Sequence, residues 1–142
     1  MALMTAGVLV LHAPWASAGP FDSWSYEARI TFIGYDKPEI LTNFPALVVI
    51  STNNINGLDY SEFLSGSNAD LRFTDSNRTV ELSYEIEEWD TNGNAYVWVR
   101  LPELAGTNDH IWMNWGRLNQ AAPTYTTNGD AWDTNYLGVW HL

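Results

Sequence analysis

"ELSYEIEEWDTNGNAYVWVRLP", Glu81 to Pro102, decides the fold. Two runs of alternating apolar and polar residues flank Asn92-Gly93. Alternation of period two marks half-buried strands, and Asn-Gly between such runs is the strongest short hairpin signal. With that pair as a two-residue type I′ turn, Trp89 is expected opposite Tyr96, Glu87 opposite Trp98, and Glu85 opposite Arg100. On the other face Tyr84 meets Leu101 and Ile86 meets Val99. The second face is apolar and is expected to be core. The first then carries the rings and every acid of the hairpin except Glu88.

The same period extends outward. Residues 26–35, 46–51, 69–75 and 110–116 read as further strands, with turn-rich pieces such as "DKPE", "TNNING" and "AGTND" between them. No amphipathic helix of ten residues is evident; "LDYSEFLSG" fits a single helical turn. Six or more short strands separated by turns imply an all-β protein, an antiparallel two-sheet β-sandwich of jelly-roll-like kind.

Composition narrows the chemistry. Seventeen acids against six bases give a net charge of -11. Such a surface repels the phosphates of nucleic acid, so no nucleic-acid partner is expected. Eight Trp, seven Tyr and five Phe in 142 residues supply material for a packed core. Absent cysteine rules out disulfides and thiolate sites. Three histidines without a common spacing give no zinc signature, and no metal or cofactor is expected. "DTNGN" (90–94) spaces oxygens like half a calcium loop but lacks the distal Glu. Asp130 and Asp133 fit turn or cap roles better than calcium ligation.

Both ends differ from the middle. "MALMTAGVLVLHAPW" followed by "ASA" reads as an apolar segment and a small-x-small cleavage site after Ala18, although no Lys or Arg precedes it. The expected organisation is a signal peptide at 1–18 and a β-sandwich domain at 19–127. Residues 128–142 are then a linker and the start of a truncated downstream domain, because "YLGVWHL" is too apolar to end in water. The expected location is therefore secreted, periplasmic or cell-surface, with no membrane insertion after cleavage.

"ADLRFTDSNRTVELSYEIEEWD" (69–90), "AYVWVRLPEL" (95–104), "HIWMNWG" (110–116), "GDAWD" (129–133) and "GVWHL" (138–142), in this order and spacing, resemble the family known as domain of unknown function 2341. The likeness runs from about Trp24 to Asp133. Asn68 stands where the family usually has Gly, and "NWGRLN" (114–119) replaces its Tyr-Tyr-Gly-Asn turn. The resemblance implies an exported bacterial or archaeal module of multidomain surface proteins. In these a laminin-G-like, concanavalin-A-type lectin domain often follows, and "GVWHL" resembles its first strand. It implies no activity and no catalytic residues.

The residues most suited to a ligand are the aromatic ones on the outer hairpin face. Trp89, Tyr96 and Trp98, joined by Trp112 and flanked by Glu87, Arg100 and Asn114, would make a platform for a sugar's apolar face and its hydroxyls. A glycan and the downstream lectin-like domain are thus the expected partners of a non-catalytic accessory module. Two other uses stay open. Glu85 and Glu87, about 6.6 Å apart on one strand, approach the separation of a retaining glycosidase pair, and "ELSYE" is similar to the Glu-x-Asp-x-Glu strand of laminarinase-like glucanases, with Ser83 in place of the Asp. Alternatively the rings are covered by protein, and the domain is a structural or protein-interaction spacer.

Overall fold

The computed structural model describes residues 19–132, Thr134 and Tyr136. The leader and the "GVWHL" stretch lie outside the described residues, as do Asp133 and the last histidine, His141. Six strands form: β1 (Tyr26–Thr31), β2 (Leu41–Ile50), β3 (Arg72–Thr74), β4 (Tyr84–Trp89), β5 (Ala95–Leu104) and β6 (His110–Trp115). Three short 3-10 turns, at Tyr60–Glu62, Gly66–Asn68 and Thr124–Thr126, are the only helical pieces among the described residues. None is long and apolar enough to cross a membrane.

The strands build two antiparallel sheets, ordered β1-β6-β3 and β2-β5-β4. Period-two alternation sends Ala28, Ile30, Phe73, Ile111, Met113 and Trp115 inward from the first sheet. Ala46, Val48, Ile50, Tyr84, Val97, Val99 and Leu101 point inward from the second, and both sets join in one core. The protein is a β-sandwich, as its alternation requires. Burying a side chain such as Val97 or Leu101 stabilises by roughly 1.5–3 kcal/mol, so this core is what holds the two sheets together.

The 81–102 hairpin forms, but with a different turn. Positive φ among the described residues occurs at Asn43, Asn68, Arg78, Asn119, Gly57, Gly116 and Gly129, and not at Asn92 or Gly93. Asp90 takes over: its carboxylate accepts the Asn92 N–H at 2.9 Å, and its carbonyl accepts the Gly93 N–H at 3.3 Å. Asp side chains commonly fold the chain this way, mimicking a backbone turn. The loop is accordingly Asp90–Asn94, five residues rather than two.

A bulge follows between Ile86 and Glu88. Trp89 pairs with Ala95, Glu88 with Tyr96, and, beyond the bulge, Glu85 with Trp98, Ile86 with Val97 and Tyr84 with Val99. The expected facing of Glu85 and Arg100 is therefore corrected: Trp98 lies opposite Glu85, and the Arg100 N–H bonds the Ser83 carbonyl at 2.9 Å. Beyond the bulge the slip is an even number of residues, so Tyr84 and Ile86 keep their faces. At Trp89 it is odd, and the side chain changes sides.

One carboxylate ties the loops at the end of the first sheet. Asp70, fully buried, accepts N–H bonds from Leu64 (2.9 Å), Ser65 (3.2 Å), Gly116 (3.1 Å) and Arg117 (2.9 Å). Arg72, also buried, donates to the carbonyls of Ala69, Leu71 and Ala121 and pairs with Glu81 at 3.4 Å. Tyr125 donates to the same Glu81 carboxylate and packs edge-on against Tyr84, whose hydroxyl donates to the Leu71 carbonyl at 2.8 Å. This polar seam straps residues 117–126 across the β3–β4 side of the sandwich.

Candidate functional site

The outer face of the second sheet is where the aromatic residues meet carboxylates. β5 runs down its middle and presents Tyr96, Trp98 and Arg100, with Leu47 and Glu85 on either side of Trp98. The Trp98 indole N–H donates to Glu87 Oε2 at 3.1 Å. Glu87 sits in the bulge, so the expected Glu87–Trp98 contact survives although their backbone pairing does not. Glu88, exposed, stands opposite Tyr96. The Tyr96 hydroxyl accepts from Asn94 at 3.1 Å.

A residue from outside the hairpin completes this face. Trp132 lies on Trp98, ring centres 5.2 Å apart and planes at 50°, and its indole N–H donates to Glu85 Oε2 at 3.1 Å. Tyr136 meets Trp132 edge-on at 5.4 Å. Arg100 donates to the Asp130 carbonyl at 3.3 Å, and Ala131 is fully buried, so residues 130–132 are seated on the sheet. Each indole N–H therefore points at its own carboxylate, Trp98 at Glu87 and Trp132 at Glu85. Sequence reasoning assigned "GDAWD" to turns and missed Trp132. The available signal was a lone Trp in a polar, turn-rich stretch, which rarely stays in water.

Three expected members belong elsewhere. Trp89, turned by the bulge, packs edge-on against Tyr60 (5.6 Å) and Phe63 (4.9 Å) at the margin of the core. Trp112 and Asn114 are on β6, which pairs with β1 and β3 and not with the hairpin. Their side chains face outward from the first sheet, on the opposite side of the sandwich from Trp98. There the Arg78 guanidinium covers the Trp112 ring at 3.6 Å and bonds Glu27 at 2.8 Å. Asn114 is buried at its ladder position between Glu27 and Arg72. The platform is thus Tyr96, Trp98, Glu87 and Arg100 from the expected set, with Trp132, Tyr136 and Glu85 added.

Other polar groups are bonded within the fold. Asp130 Oδ2 accepts from the Asn128 amide at 2.8 Å within its own turn. Among the described residues no group of three or more His, Asp or Glu side chains is placed to hold a metal. His110 Nδ1 faces an Arg29 guanidinium nitrogen at 3.1 Å on the first sheet.

The model of one protein family, domain of unknown function DUF2341, matches residues 67–135. Those residues belong to the DUF2341 family. No curated protein and no solved structure matches the chain. The DUF2341 stretch contains β3 to β6 and every platform residue except Tyr136. It also contains both central strands, β5 and β6, whereas β1 and β2, which complete the sheets at their edges, precede it. Asp70 and Gly116, bonded to each other, fall in residues 69–90 and 110–116, two of the five pieces that carry the sequence likeness to DUF2341.

Proposed function

We propose that this chain is an exported, non-catalytic β-sandwich module of a multidomain surface protein, and that it binds glycan on the outer face of the second sheet. One observation carries the binding part: Trp98 and Trp132 present adjoining indoles there, with Tyr96 and Tyr136 beside them and carboxylates within hydrogen-bond reach. Flat rings suit the C–H face of a pyranose, and carboxylate oxygens accept its hydroxyls. Export rests on the leader-like residues 1–18, and the multidomain setting on the match of residues 67–135 to DUF2341. Binding of a panel of soluble oligosaccharides to the wild type and to Trp98→Ala tests the platform. At least one oligosaccharide is expected to bind the wild type and to lose most of its affinity for the variant; no binding by any member would overturn it.

A hydrolytic use of Glu85 and Glu87 is the less favoured reading, since each carboxylate is engaged by an indole N–H. Release of reducing sugar from any polysaccharide, abolished by Glu85→Gln with Glu87→Gln, would reverse that preference. The spacer reading has a specific observation in its favour: residues 130–132 already occupy part of the face. Iodide quenching of tryptophan fluorescence, compared between this chain and a longer parent, separates the two. Loss of quenching in the parent favours the spacer, and equal quenching favours an open platform.

A further inference from the structure

The polar groups around the platform are unevenly charged. Glu85, Glu87 and Glu88 lie within one short strand on its margin, and among the described residues Arg100 is the cation that shares the face. Two of the carboxylates are drawn close to the rings by indole N–H bonds of 3.1 Å. The guanidinium of Arg100 is directed to the Asp130 carbonyl at 3.3 Å. An aromatic face with carboxylates at its edge attracts a cation twice over, through the ring quadrupoles and through opposite charge. The net charge of -11 adds a field of the same sign.

We infer that the platform prefers cationic amino-sugar polymers, glucosamine-type chains with free C2 ammonium groups, over their N-acetylated, neutral or uronate-bearing counterparts. The inference rests on the glycan-platform reading above and specifies its ligand. The sugar ring lies on the indole of Trp98 or Trp132, and an ammonium group of that or a neighbouring unit meets Glu85 or Glu87. Acetylation removes the charge and its ion pair. A uronate sets carboxylate against carboxylate.

Glucosamine hexamer, its fully N-acetylated form and a galacturonate hexamer are titrated calorimetrically into the 142-residue chain at low and at physiological salt. Roughly tenfold tighter binding of the free-amine hexamer than of the acetylated one is expected, with the uronate weakest. Glu85→Gln with Glu87→Gln retains an oxygen for each indole N–H and removes both charges. It should bring the free-amine and acetylated affinities to within about twofold. Glu39→Gln, a remote control, should leave the tenfold ratio unchanged. Equal or tighter binding of the acetylated or uronate hexamer, lost in Trp98→Ala, would overturn the charge preference and leave the platform standing. Absence of binding by all three hexamers and by the oligosaccharide panel would remove both. Hexalysine binding as tightly as the glucosamine hexamer, or a ratio untouched by the double Gln variant, would reduce the effect to unspecific attraction and also overturn it.

Discussion

The Asp70 carboxylate accepts the backbone N–H of Gly116 at 3.1 Å, across 46 residues of chain. Three more backbone N–H groups converge on the same two oxygens. An Asn at this position would present an N–H₂ group to at least one of those donors, and an Ala would leave all four unpartnered in a buried setting. Hydrogen bonds to a charged group contribute about 1.5–3 kcal/mol each, and abandoned buried donors cost about 1–3 kcal/mol. Asp70→Asn should destabilise by about 2 kcal/mol and Asp70→Ala by more than about 3 kcal/mol. Urea unfolding measures both; an Asp70→Ala protein as stable as the wild type would refute the role given to this carboxylate.

Gly116 needs to be glycine for two reasons. Its φ of +86° is left-handed, and a Cβ there would lie 2.4 Å from Tyr26 Cδ2. Tyr26 cannot swing aside freely, because it stacks on Trp115 at 5.6 Å. Strain of about 1–2 kcal/mol from the backbone adds to about 1–3 kcal/mol from overpacking. Gly116→Ala should therefore cost about 2–4 kcal/mol, read as a lowered unfolding midpoint.

High pH should unfold the domain through two tyrosines. Burial pushes the Tyr84 hydroxyl well above its ordinary value of 10.0. Burial, and then the Glu81 carboxylate bonded to it, do the same to Tyr125. The folded state thus holds protons that the unfolded chain releases. That stability is fully present below pH about 10 and is lost as pH rises from there toward the folded values. Melting temperature should fall steeply above pH about 10, and Tyr84→Phe with Tyr125→Phe should flatten the fall. An identical slope in the double variant would show that other groups are responsible.

Trp98 and Trp132 should be energetically coupled. Trp98 is half-buried, so Trp98→Ala should cost about 1–2 kcal/mol, more than a free surface change and less than the 3–5 kcal/mol of a core aromatic. A double-mutant cycle with Trp132→Ala should return a coupling of about 0.5–1.5 kcal/mol. A coupling of zero would mean that the two indoles do not pack together in solution.

Fold class was legible because burial imposes period two wherever a strand has one wet face. Tyr84, Ile86, Val97 and Val99 had to share the core, and they do. Two local facts were hidden. Asn92-Gly93 fits a tight turn, yet the Asp90 side chain competed for the same backbone and widened the loop. No residue type announces a bulge, so the change of side at Trp89 could not be read from alternation. The dispersal of the proposed platform has a third cause. Which strand lies beside β6 is a long-range choice, set by how both sheets close over one core. Trp112 and Asn114 alternate as expected, but on the other sheet.

The strand order also has a consequence for synthesis. β5 and β6 are the middle strands of the two sheets and the last two of the six described strands to leave the ribosome. Until they arrive, β1, β2, β3 and β4 have no ladder partners among themselves beyond the single bridge between Thr74 and Glu81. A nascent chain that ends before Ala95 can complete neither sheet. β1 and β2 must therefore wait, unpaired and apolar, while the chain between them and β5 and β6 is made. Stalled chains in which β6 is still inside the ribosome, and others in which it has fully emerged, with protease protection as the readout, should show β1 cut in the first and shielded in the second.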